Sequence, residues 1–146
     1  MTKINFNRRP MPIYAEHRPL YKVAQILIAL EVSSRGAKSS LLRLQLLNWA
    51  IKEEFRRLVI IKAAETGKLT IDVWGIDPAL NAAIQFALAE KLITKKVSHI
   101  IATTKGRDFV KEIIKGNEME EEICFFQSIG KKISETMVSD VVKTWG

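Results

Sequence analysis

His17 and His99 are the only histidines in this chain of 146 residues, and Cys124 is its single cysteine. None of the three has a partner at the short spacing a zinc site uses, so the sequence predicts no metal centre. Lys105-Gly106-Arg107 lacks the upstream glycine and the Lys-Ser/Thr pair with which a P-loop wraps a triphosphate. A metal-dependent nuclease of the restriction type wants an acidic residue or glutamine two positions before a lysine, and no such triplet occurs. Nothing marks a Ser/His/Asp set. The acidic run Glu118, Glu120, Glu121 and Glu122 falls near the start of a predicted helix, where negative charge complements the helix dipole. It reads as capping rather than catalysis, and His99 reads as a solvent-facing hairpin residue. The expectation is a non-enzyme with no cofactor, no metal and no small-molecule substrate.

The cations carry a different chemistry. Net charge is +7, and it is unevenly placed: 12 Lys and Arg face 5 Asp and Glu through Gly67, whereas from Lys68 onward the count is 11 against 11. This asymmetry predicts contact with a polyanion such as nucleic acid or with an acidic protein surface, the alternative being a basic face that only solvates the protein. The candidates for phosphate-backbone contact are Arg8, Arg9 and Arg18 near the N-terminus, Arg35 and Lys38 in a first loop, Arg56 and Arg57 after a central helix, and Lys95 and Lys96 at a hairpin tip. Residues so placed hold a backbone without reading bases. Arg56 and Arg57 suit pairing with Glu53 and Glu54 on their own helix equally well.

Three segments position these residues. Residues 1–18, with Pro10 and Pro12 and little periodicity, read as an extended basic arm. Residues 19–115 read as one domain, and residues 116–146 as a helical extension packed on it. Pro19 opens a helix with Val23, Ile26, Leu27 and Leu30 on one buried face. After the break SSRGAKSS, Ser39 or Ser40 caps the helix LLRLQLLNWAIKEEF, which is apolar nearly all round and so expected at the centre of the fold. Helical signal runs on to a cap at Gly67, as one bent helix or two. The alternation of Leu69, Ile71 and Val73 with Thr70, Asp72 and Trp74 predicts a strand. Asp77-Pro78 then starts a helix that buries Leu80, Ala83, Ile84, Ala87 and Leu88. Short β segments at 92–94 and 99–102 form a hairpin, Thr104 opens a helix ending at Gly116, and Ile123, Phe126, Ile129 and Ile133 form a helical stripe expected to cover the domain's own core.

An apolar content of 47% in a chain of this length supports a packed core without staples. A lone cysteine fits a reducing compartment. No apolar run approaches the roughly 18 residues of a membrane span, and Pro10 and Pro12 interrupt the place of a signal-peptide core, so a cytoplasmic, non-membrane protein is expected.

The order helix–helix–strand–helix–hairpin–helix resembles a winged helix, a mainly α fold with a small β-hairpin (α+β). The clearest part is AEKLITKKVSHIIATTKGRDFVKEI, residues 89–113. Within residues 19–115, LLRLQLLNWAIKEE (41–54), IDPALNAAIQFALAEKLI (76–93) and TTKGRDFV (103–110) are similar to the winged-helix middle component of bacterial three-component ABC-ATPase systems, including Lamassu-type anti-phage defence. That resemblance implies a non-catalytic adaptor subunit between an SMC-like ABC ATPase and an effector protein. It carries over packing residues and no catalytic ones.

In winged helices that read DNA, the helix before the wing enters the major groove and needs Arg, Lys, Asn or Gln at base edges. Here that helix, residues 78–90, has no Lys or Arg; its polar residues are Asn81, Gln85 and Glu90, and Ala79, Ala82, Phe86 and Ala89 fill much of the rest. Such a surface favours close packing with another polypeptide over base reading. Trp74 and Trp145 are further candidates for exposed partner anchors, whereas Trp49 belongs in the core. The alternative is a stand-alone winged-helix DNA-binding transcriptional regulator that reads bases through Asn81 or Gln85.

Overall fold

The computed structural model describes residues 19–71 and 74–145. Its elements are α1 (Pro19–Ser33), β1 (Lys38–Ser40), α2 (Leu41–Ile51), α3 (Glu54–Thr66), α4 (Pro78–Ala89), β2 (Ile93–Lys96), β3 (His99–Ala102), α5 (Thr104–Lys115), α6 (Glu120–Ile129) and α7 (Glu135–Lys143). The fold is mainly helical with one small antiparallel sheet, in the order β1-β3-β2.

α1 is the axis of the core. Val23, Ala24 and the run Ile26 to Leu30 are all buried, because α2, α4, α5, α6 and the sheet all pack against this one helix. The sequence pattern assigns that central place to α2, yet α2 leaves Leu41, Leu42 and Trp49 only partly covered. The helical signal over residues 41–66 resolves into two helices. The chain turns extended at Glu53 (φ −140°, ψ 142°), and α3 ends at Gly67 in the left-handed conformation (φ 79°) that glycine adopts without strain.

Capping residues fix where elements begin. The Ser40 hydroxyl accepts from the Arg43 N–H at 3.1 Å and starts α2, and the Asp77 carboxylate accepts from the Ala79 N–H at 3.0 Å and starts α4. At α5 the cap is Thr103 rather than Thr104. Its hydroxyl accepts from the Gly106 N–H at 3.1 Å, and its backbone N–H donates to the Leu92 carbonyl at 3.0 Å, so one residue closes the hairpin and opens the helix. A Cβ on Gly106 would lie 2.1 Å from the Leu92 carbonyl oxygen, so glycine is what lets α5 sit against the start of the hairpin.

The strand expected over residues 69–74 is not found among its described residues. Leu69 to Ile71 and Trp74 are irregular, Asp72 and Val73 lie outside the description, and Leu69 and Trp74 are buried as plugs in the core. The third strand is instead Lys38–Ser40, within the stretch read as a break, and it pairs Lys38 with Ile101, Ser39 with Ile100 and Ser40 with His99. Three residues are too few to carry a period, and the free edge of β3 is what recruits them. β2 pairs along the other edge of β3, from Ile93 with Ala102 to Lys96 with His99.

The C-terminal extension is part of the same core. Ile123, Phe125, Phe126, Ile129 and Ile133 are buried, α6 packs on α1 and α3, and the Ser33 hydroxyl donates to the Phe126 carbonyl at 2.7 Å. Among the described residues, no helix is long and apolar enough to cross a membrane.

Candidate interaction surfaces

α4 turns Leu80, Ala83, Ile84 and Ala87 onto α1 and the hairpin, which follows from their one-face spacing. Its other face carries Ala79, Asn81, Ala82, Gln85, Phe86 and Ala89, all exposed, with Phe86 at 37%. Ile76, just ahead of the helix, is 71% exposed. The helix contains no Lys or Arg, so its outward face is uncharged, with small apolar side chains and Phe86 set among the amides of Asn81 and Gln85.

The start of α4 is held by a polar chain. Asp77 pairs with Lys52 at 2.8 Å and accepts from the Asn48 amide at 3.0 Å, and Asn48 in turn accepts from Lys22 at 2.9 Å. Partial burial by itself raises the Asp77 carboxyl, but hydrogen bonds from Lys52, Asn48 and the Ala79 N–H, together with the Lys52 charge, outweigh it and hold the group at about 2.

The two tryptophans read as exposed anchors behave differently. Trp74 is only 5% exposed and meets Trp145 edge-on, with ring centroids 4.7 Å apart. Its partner Trp145 keeps 36% exposure and donates its indole N–H to the Ile71 carbonyl at 3.4 Å. Trp74 is therefore a core residue, since the short irregular segment that carries it turns inward, and Trp145 acts as its cover.

The candidate phosphate-contacting cations separate into three sets. Arg8, Arg9 and Arg18 lie outside the described residues. Arg56 and Arg57 are half-buried and engaged locally. Arg56 sits 4.7 Å over the Trp49 ring, pairs with Glu53 at 3.5 Å and donates to the Trp49 carbonyl at 3.2 Å, while Arg57 donates to the Ile51 carbonyl at 2.7 Å. Both guanidiniums thus cap the end of α2, where free carbonyls and the negative end of the dipole draw cations. Arg35, Lys38, Lys95 and Lys96 are exposed and enter no ion pair among the described residues.

Arg43 has a role that the sequence pattern conceals. It lies 3% exposed at the junction of α1, β1 and the α6–α7 turn. Its guanidinium donates to the Ile133 carbonyl at 2.6 Å, the Ser34 hydroxyl at 2.7 Å, the Ser39 hydroxyl at 3.3 Å and the Ser33 carbonyl. Burial lowers its pKa from the ordinary arginine value and the Glu135 carboxylate opposes that shift.

Above Arg43 opens a pocket of about 280 Å³, whose rim carries Arg35, Lys38, His99 and Lys131. His99, expected to face solvent, is half-buried there. Glu135 is the pocket's one acidic residue among the described residues, and its two oxygens accept from the Ser40 N–H at 2.9 Å and the Ser40 hydroxyl at 2.6 Å. The acidic run lies elsewhere, with Glu120, Glu121 and Glu122 in the first turn of α6, and burial raises the Glu118 and Glu122 carboxyls. No family model, no curated protein and no solved structure matches this chain.

Proposed function

We propose that this chain is a non-catalytic winged-helix adaptor that docks on a protein partner through the outward face of α4. The partner setting is the one implied by the sequence resemblance: an SMC-like ABC ATPase joined to an effector in a bacterial anti-phage defence complex. The observation that carries the reading is the face of Ala79, Ala82, Phe86 and Ala89, exposed and without a cation. Small side chains let a second backbone approach closely, and a single aromatic among them is a common anchor. The winged-helix part is supported by the topology. β1 between α1 and α2, a hairpin directly after α4, and the sheet order β1-β3-β2 are the arrangement expected of that fold.

A DNA-reading helix would need cations to hold phosphates on both sides of the groove, and α4 offers none. Asn81 and Gln85 are exposed and have the amide chemistry that reads adenine, which is the observation favouring the regulator alternative. The two readings separate in one experiment. The chain is co-expressed with a large coiled-coil ATPase of the SMC-like class that the reading predicts to be encoded beside it, and complex formation is compared for wild type, Ala82→Trp and Phe86→Ser. The adaptor reading predicts co-purification that weakens by about 2 kcal/mol, roughly thirty-fold, in each folded variant. A chain that stays alone, or that selects a palindromic DNA sequence through Asn81 or Gln85, defeats it.

A further inference from the structure

We propose that the pocket between β1, β3 and the α6–α7 turn is a phosphate seat for the backbone of nucleic acid, and that it binds without regard to sequence. Four basic side chains reach it from separate parts of the chain: Arg35 from the turn before β1, Lys38 from β1, His99 from β3 and Lys131 from the turn after α6. Among the described residues, Arg35, Lys38 and Lys131 enter no ion pair, so their charge is available to an incoming anion. The charges beneath them are already committed. Arg43 is bound to the Ile133 carbonyl and to the serines at the end of α1 and in β1, and Glu135 is bound to Ser40. Among the described residues, one carboxylate therefore stands against five basic side chains around a single concavity.

The shape of the cationic surface selects the ligand class. Lys96 is the direct cross-strand partner of His99, and Lys38 is two residues from Ser40, which pairs with His99 on the other side. The alternation of strands thus puts Lys38, His99 and Lys96 on one face of the sheet. With neighbouring strands about 4.8 Å apart and Lys38 offset two residues along its strand, that diagonal spans about 12 Å, longer than one phosphate group and suited to successive phosphates of a backbone. Apart from His99, no aromatic ring among the described residues lines the pocket to hold a base or a nucleoside. Recognition is therefore by charge alone, the mode that fixes a nucleic acid in place and carries no sequence information. Lys131 belongs to the C-terminal extension, so the extension completes a seat that the sheet alone leaves open.

This seat and the α4 docking face lie on different elements and are tested separately. Binding of the full chain to two unrelated 20-base-pair duplexes is measured by fluorescence anisotropy between 50 and 200 mM salt. The variants are Arg35→Glu/Lys131→Glu and, as a control with the same change in net charge, Lys62→Glu/Lys115→Glu on exposed sites of α3 and α5. The expected result is equal affinity for both duplexes in the wild type. The pocket variant is expected to bind about tenfold more weakly, with a salt slope shallower by about one to two, while the control changes little. Phe86→Ser leaves duplex binding unchanged, so a failed α4 reading and a failed phosphate seat give different patterns. Equal losses in both double variants would show a net-charge effect and overturn the proposal. A wild type that binds neither duplex overturns it as well, including the case in which inorganic phosphate alone shifts the His99 imidazole resonances.

Discussion

Replacing Arg43 with methionine removes a side chain that ties α2 to both the end of α1 and the α6–α7 turn. The methionine fills most of the space but leaves the Ile133 and Ser33 carbonyls, which the guanidinium serves in the native fold, without their donor. A buried acceptor left unpaired costs about 1–3 kcal/mol. Two such groups cost more, but relief from burying a charge offsets part of it, and the Ser34 and Ser39 hydroxyls keep their own acceptors at Ala29 and Ser40. The net expectation is a loss of about 2–4 kcal/mol, which in a chain of this size lowers the melting temperature by roughly 5–15 °C. Arg43→Lys recovers less than half, because one ammonium cannot reach acceptors on three segments. Thermal and urea unfolding followed by circular dichroism measure both variants, and hydrogen exchange should show the segment around Ile133 loosening first. If Arg43→Met melts within a degree of the wild type, the guanidinium is not what clamps the C-terminal extension.

Three further perturbations follow from particular contacts. Gly106→Ala should destabilise by about 2–4 kcal/mol in urea titration, against the gain of about 1 kcal/mol expected for alanine in a helix, because the new methyl group meets the Leu92 carbonyl. Asp77, held at about 2 in the folded state against an unfolded value of about 3.9, contributes stability that is complete above about pH 5 and is lost as pH falls through 4 towards 2. That contribution is at most about 2 kcal/mol, and Asp77→Asn should remove the difference in acid unfolding between about pH 5 and 2 while keeping the cap. Trp145→Ala should uncover Trp74 and cost about 1 kcal/mol beyond the area lost, seen as a changed near-ultraviolet signal with the melt displaced downward.

What the sequence reveals is whatever is local. The start of α4 is legible because Asp77 and Pro78 act within one turn, and the buried set Leu80, Ala83, Ile84 and Ala87 is legible because it repeats at helical spacing. The hairpin and its exit are legible for the same reason, although the hydroxyl that caps α5 comes one residue earlier than the pattern indicates. Features set by distant segments are not legible. β1 exists because β3 offers an edge some 60 residues away in the chain, and Arg43 reads as an outlying cation of a leucine-rich helix until Ile133 is brought beside it, 90 positions on. Trp74 misleads because alternation marks its segment as a strand, whereas packing against Trp145 turns it inward. The basic pocket joins Lys38, His99 and Lys131, whose separation in sequence leaves no motif to find; only a general excess of charge points to it.

The uncharged face of α4 is tested most directly by a photo-crosslinking residue placed at position 82 in the chain co-expressed with an SMC-like ABC ATPase of the class the proposed function calls for, with position 62 on α3 as the reference. The account predicts a crosslink from position 82 to the ATPase and none from position 62. A position 82 that stays open to water in the assembled complex, or that crosslinks to DNA bases, contradicts it.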